Sequence, residues 1–254
     1  MTSFIPRPSF DITLLKDSHL VLPSVSIGNV PQLTCDLIIH TLQLSRIGFI
    51  DSDAVIPVVG QFETNSIGIS VPIEVYQSKD QQLTVIQQRS PTLKGKKQDL
   101  ITTLTEFIQQ AQFSKVTLLT SLDAARRIDS QISSNPFRVI GDTTIVSDIY
   151  QKCNIPVLET RKEKDDDDTT LPSSLPGGGM TRSLYLSLKE KNINVVIFSI
   201  FVLEGDNIQD SIAFANTLNG YYGLNKKDDK NGTWIAPKSW EFLFGTPINS
   251  ELYL

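Results

Sequence analysis

Two histidines and two cysteines are all that these 254 residues offer to imidazole or thiolate chemistry. Cys35 and Cys153 alone build neither a disulfide framework nor a thiolate metal site, which suits a reducing compartment. A Ser-His-Asp or Cys-His site would have to use His19 or His40. His19 opens an apolar run and His40 lies near the end of a helical pattern, so both are expected to be structural. No G-x-S-x-G elbow accompanies either. Basic charge is scarce too. Against 28 Asp and Glu stand 23 Lys and Arg, a net charge of −5, the wrong sign for neutralising nucleic-acid phosphates. The one basic cluster, Lys94, Lys96 and Lys97, reads as a solvated loop. The longest apolar stretch, Ile193 to Leu203, is well short of the ~20 residues a spanning helix needs. The start, "MTSFIPRPSF", has two prolines and no apolar h-region, so no secretory signal is expected. The sequon Asn231-Gly232-Thr233 would matter only in a secreted chain.

What is present is globular. Hydrophobic residues make up 40% of the chain and charged residues 20%, ample for a core. The run His19 to Ser26 reads as a buried strand, followed by a helix in which Leu33, Leu37, Ile38 and Leu42 recur at helical spacing. Asn29 is expected as its N-cap, with Pro31 in the first turn and Gln32 completing a capping box. Ile67, Ile69, Val71, Ile73 and Val75 alternate as one half-buried strand, which pairs with "LTVIQQRS" as a hairpin. Leu100, Ile101, Leu104, Phe107, Ile108 and Ala111 mark one face of a helix. "KVTLLTS" and "NVVIFSIFV" are continuous apolar runs, as expected for strands covered on both faces. Ile208, Ile212, Ala215, Leu218 and Tyr222 mark a late helix, with Asp206 as N-cap. The expected fold is a single-domain α/β sandwich, residues 1–254, with a mixed sheet flanked by helices.

One segment stands apart. "RKEKDDDDTTLPSS", residues 161–174, holds four adjacent aspartates that repel one another and bury nothing. It is expected to be a disordered surface loop.

Three stretches could carry chemistry. In "LPGGGMTRSLY", Gly177, Gly178 and Gly179 precede a helix and could aim N–H groups at a phosphate, with Arg182 near. The loop matches neither common phosphate-binding pattern, and the plainer expectation is a tight turn bringing a helix close to neighbouring backbone. Gly178 is the position expected to need a positive φ. In "FVLEGDNIQDS", around Gly205 and Asn207, Glu204, Asp206 and Asp210 could bind a cation or share a proton. They also suit the positive end of a helix. "WIAPKSWEFLFG" carries Trp234 and Trp240, and reads equally as core closure or as a protein interface.

Five stretches resemble successive motifs of the proteasome assembly chaperone family, in order: "LPSVSIGNVPQLTCDLII", which contains Gly28 and Asn29, then "SSNPFRVI", "LPGGGMTRSLY", "FVLEGDNIQDSI" and "WIAPKSWEFLFG". They span Leu22 to Gly245. The resemblance implies a phosphorylase- or hydrolase-like α/β fold without catalytic residues, cofactor or metal, in cytoplasm and nucleus. It implies pairing with proteasome assembly chaperone 1 and escort of proteasome α subunits into their ring. It also gives the last residues a role. Leu252-Tyr253-Leu254 fits a hydrophobic-Tyr-any tail that docks between adjacent α subunits, its carboxylate meeting a lysine there. Residues 246–254 would then be a flexible docking tail. The competing reading is a nucleoside-phosphorylase-like or hydrolase enzyme that holds phosphate on Gly177–Gly179.

Overall fold

Every residue of the run His19–Pro23 is buried, and so is every residue of Val195–Val202. Strands buried on both faces lie in the middle of a layered sheet. The structure, a computed structural model, describes residues 3–61, 68–159, 171–225 and 234–242. In chain order its elements are β1 (Phe4–Pro6), β2 (His19–Pro23), α1 (Val30–Thr41), β3 (Ser45–Ile50), β4 (Gly60–Gln61), β5 (Ile69–Ser70), β6 (Ile73–Gln77) and β7 (Leu83–Gln88). There follow α2 (Lys97–Ala111), β8 (Lys115–Asp123), α3 (Asp129–Ile132), β9 (Phe137–Ile140), α4 (Thr143–Cys153), α5 (Thr181–Glu190), β10 (Val195–Val202) and α6 (Ile208–Tyr222).

Eight strands form one mixed sheet in the order β1-β3-β6-β7-β2-β8-β10-β9. The central four, β7, β2, β8 and β10, run parallel. The flanking β6 and β9 are antiparallel to their neighbours. Alternate residues of β2 serve opposite faces, as a period of two requires. Leu20 and Leu22 meet α2 and α5 through Leu100, Leu104, Phe107, Leu184 and Leu188. Val21 faces α1, α4 and α6 through Val30, Ile38, Ile149, Phe214 and Leu218. The result is helix–sheet–helix layering.

Several sequence expectations need correction. Asn29 does precede α1, but its φ of 54° is left-handed and its side chain caps no backbone N–H. Gln32 Nε2 donates to Asn29 Oδ1 at 3.4 Å instead of to the backbone, so there is no capping box. The N-cap of α6 is Asn207 rather than Asp206. Asp206 Oδ1 accepts from Ile208 N at 3.1 Å, a turn one residue early. The alternating run before the hairpin is not one strand. Pro72, which has no N–H for a ladder, separates β5 from β6, Ile69 is exposed, and β6 is buried throughout. Ile67 lies outside the described residues, as do the four aspartates and residues 246–254. At the far end of the acidic segment Leu171 is buried in the core, because an apolar side chain there finds a place beside α5.

Candidate interaction site at the carboxyl edge of the sheet

The parallel strands β2, β8 and β10 end side by side, the loops that leave β2 and β10 hold two of the five sequence motifs, and a third, the glycine loop, packs against them. In open α/β sheets this edge is where ligands bind. After β2 the chain turns through Ser24, Ser26, Gly28 and Asn29, with φ of 68° at Gly28. After β10 it turns through Leu203 to Asn207. The two loops dovetail. A Cβ on Gly28 would lie 2.5 Å from Asn207 Nδ2, while that amide donates to Leu203 O at 3.1 Å and Gly205 O at 3.0 Å. Glu204, Gly205 and Asp206 are exposed beside it, with Leu203 59% exposed.

The glycine loop seals the same edge from beneath α5. Gly177 and Gly179 have φ of 81° and 61°. Gly178 does not need a positive φ, contrary to expectation; the two glycines around it do. Gly177 O accepts from Ile27 N at 2.9 Å, and Pro176 O from Asp123 N at 2.9 Å. Gly178 O gathers the hydroxyls of Thr181 at 2.7 Å, Thr120 at 3.2 Å and Ser24 at 3.3 Å. A Cβ on Gly179 would meet Val25 O at 2.1 Å. The space a phosphate would need is taken by the chain's own backbone. Arg182 points elsewhere, its Nε donating to Pro172 O at 2.8 Å. The loop is a close-approach turn.

The histidines lie away from this edge. His19 sits at the opposite end of β2, where Nε2 and Thr117 Oγ1 are 2.8 Å apart and Thr117 Oγ1 meets Tyr222 OH at 2.6 Å. Burial, with help from Lys115, lowers its pKa to about 3, so the ring is neutral. His40 stands in the last turn of α1. Neither reaches Ser24 or Ser26, whose hydroxyls serve the loop. Among the described residues, no group of three His, Cys, Asp or Glu could hold a metal.

The tryptophans divide between the two readings. Trp240 packs on Leu37 and Ala215, closing the α1–α6 face. Trp234 is half-buried, its Nε1 donating to Asn216 Oδ1 at 2.7 Å.

Sequence reasoning missed the charged residues inside the sheet. Glu74, fully buried in β6, accepts from Arg46 Nη1 at 2.7 Å, Arg89 Nε at 2.9 Å and Tyr76 OH at 3.0 Å. Arg89 also reaches Asp36 at 3.3 Å. In β9, fully buried Arg138 holds Glu159 at 2.7 Å. A lone charge within an apolar strand, "IEVYQ" or "FRVI", was the available signal, since such a charge must find a partner.

Comparison with known proteins places the chain. The PAC2 family profile matches residues 20–225. Proteasome assembly chaperone 2 of Homo sapiens is 33% identical over 248 residues, covering 92% of this chain and 94% of that protein. The protein of the same name from Nematostella vectensis is 34% identical over 82% of this chain and 91% of its own length. Among solved structures, Pyrococcus furiosus PbaA, an archaeal homolog of proteasome-assembly chaperone, superposes with a TM-score of 0.64 at 13% identity, over 85% of this chain and 86% of that one. Pyrococcus furiosus PbaB, an archaeal proteasome activator, gives 0.61 at 13% identity, over 89% and 91%. Motif order, sheet topology and end-to-end similarity agree: the chain belongs to the PAC2 family.

Proposed function

We propose that this chain is a non-catalytic proteasome assembly chaperone that works by binding alone. One observation carries the reading: about a third of the residues are identical to chaperones of that name along nearly the whole chain. The competing enzyme reading needs Gly177–Gly179 as a phosphate cradle, and that loop is filled by backbone and hydroxyl contacts.

In finer detail, the chain pairs with proteasome assembly chaperone 1 and escorts proteasome α subunits during ring assembly, in cytoplasm and nucleus. The tail Leu252-Tyr253-Leu254 docks on the α subunits, tyrosine supplying a rigid amphipathic anchor. The motif edge around Gly28, Asn29, Glu204 and Leu203 is available for the sister chain. Co-expression with proteasome assembly chaperone 1, followed by affinity capture and mass spectrometry, tests this. A one-to-one complex that retains α subunits is expected. Capture of neither under gentle conditions overturns it.

A further inference from the structure

Arg127 is a half-buried cation with no carboxylate to hold among the described residues. It follows a 3-10 turn, Ala124–Arg126, at the carboxyl end of β8. Its guanidinium lies over the Phe201 ring, 5.1 Å from the centroid. Nη2 donates to Phe201 O at 3.2 Å, and Nε is buried without an acceptor. Burial and the nearby Arg138 cation both disfavour its charge. Its neighbour Arg126 is exposed. Neither arginine forms an ion pair among the described residues. Arg138 behind them differs, being saturated by Glu159, Ser134 and backbone carbonyls.

Both arginines line a cavity of about 520 Å³, together with Asp123, Gln131, Glu159 and Pro172 to Pro176. The two carboxylates in this wall are already engaged. Asp123 Oδ1 accepts from Ala125 N at 2.9 Å. Glu159 Oε2 accepts from Arg138 at 2.7 Å and Gln131 at 3.0 Å. With Arg138 paired to Glu159, Arg126 and Arg127 face only Asp123, which leaves the cavity an excess of one positive charge among the described residues.

We infer that this cavity receives an acidic side chain, Asp or Glu, from a partner protein. A planar carboxylate matches the guanidinium fork. A phosphate dianion would be repelled by Asp123 and Glu159 in the same wall, whereas a single negative charge suffers this less. A protein is favoured as the source because exposed apolar residues adjoin the lining in sequence. Ile132, 60% exposed, follows Gln131, and Val157, 45% exposed, precedes Leu158. Arginine amid apolar neighbours is the composition of binding hot spots. The inference does not depend on tail docking or on any particular sister chain.

The test uses the full chain and follows the Arg127 Nε–H resonance by NMR. Acetyl-tetra-aspartyl amide, its asparagine counterpart and inorganic phosphate are titrated in turn. A saturable shift with the aspartyl peptide, none with the asparagine peptide and weaker binding of phosphate are expected. By peptide affinity, Arg127→Gln should bind about tenfold more weakly, the loss of one charge-assisted contact. Arg127→Lys should restore only part of it. If Arg127→Gln melts early, the exposed Arg126→Gln serves as second variant, with a several-fold loss expected. No saturable shift, an equal response to the asparagine peptide, or tighter phosphate binding overturns the inference. So does unchanged affinity in both folded variants. A gain in affinity when Asp165–Asp168 are replaced by serine would assign the cavity to the chain's own acidic run, and overturn the partner assignment.

Discussion

Gly179 and Val25 meet through backbone alone, with 2.1 Å between the Val25 carbonyl oxygen and the position a Gly179 Cβ would take. No side chain fits there without moving β2's exit loop. The φ of 61° adds a cost of about 1–2 kcal/mol for any L-residue. Gly179→Ala should therefore destabilise by about 2 kcal/mol or more, lowering the melting temperature by roughly 4–8 °C. At Gly178 a Cβ would meet Leu175 at 3.1 Å with no unfavourable φ, so Gly178→Ala should cost less. Thermal unfolding of the two variants side by side checks the order. The reverse order would mean the loop is misread.

His19 links stability to pH. Its folded pKa of about 3 lies below the usual histidine value, so below about pH 6.5 the unfolded chain binds a proton that the folded chain refuses. Its contribution is complete above pH 6.5 and is lost as pH falls toward 3. Between pH 6.5 and 5 the loss should be about 1–2 kcal/mol. Denaturant unfolding across that range should show a shallower pH dependence in His19→Gln than in the parent. Parallel curves would contradict a neutral, buried ring.

Glu74 bridges two arginines from a fully buried position, with Asp36 sharing Arg89. Glu74→Leu keeps the volume and takes this carboxylate from both cations, leaving Arg89 with Asp36 alone as its acidic partner among the described residues. Removing one partner of such a buried pair costs about 3–5 kcal/mol. A melting temperature lower by roughly 6–20 °C is expected. A change under 2 °C would show that Arg46 and Arg89 swing out to water at no cost.

The tail separates docking from packing. Tyr253→Ala should weaken the docked contact by about 2–4 kcal/mol, some 30- to 1,000-fold. Measured on α rings with the sister chain's tail deleted, which removes bivalent masking, binding should fall while the melting curve stays put. Unchanged binding with a lower melting temperature would make the tail structural.

Replacing Asp165–Asp168 with serine should leave melting and capture of the sister chaperone and α subunits unchanged, because four adjacent like charges repel one another and bring no apolar side chain to bury. A loss of ring binding beyond threefold would reveal a docking role.

Regular elements were legible where one face repeats. Leu100, Ile101, Leu104, Phe107, Ile108 and Ala111 of α2 are all buried, because helical spacing puts them on one side whatever the tertiary partners. The plain reading of the glycine loop also survives, although the strain falls on Gly177 and Gly179 rather than on Gly178. That detail depends on how closely Val25 and Ile27 approach, which local sequence does not encode. The same holds for Asn29: its place before α1 could be read, but not its left-handed backbone, which sits beside the close approach of Gly28 to Asn207. Ion pairs such as Arg46–Glu74 and Arg138–Glu159 join residues 28 and 21 positions apart. Composition reveals their members but not their matches.

The strand order sets a timetable for the growing polypeptide. Among the named strands β9 pairs only with β10, Ile140 opposite Ile197, so roughly 60 more residues must be made before that edge can be stitched. At synthesis rates of about 5–20 residues per second this takes about 3–12 s. Throughout that interval the flank of β8 reserved for β10, from Val116 to Asp123, lies open with its leucines, a template for any stray strand. Lengthening the connection between β9 and β10, where the acidic segment sits, prolongs the exposure in proportion. A ribosome-bound holdase therefore has its widest opportunity on this chain after β9 emerges and before β10 does.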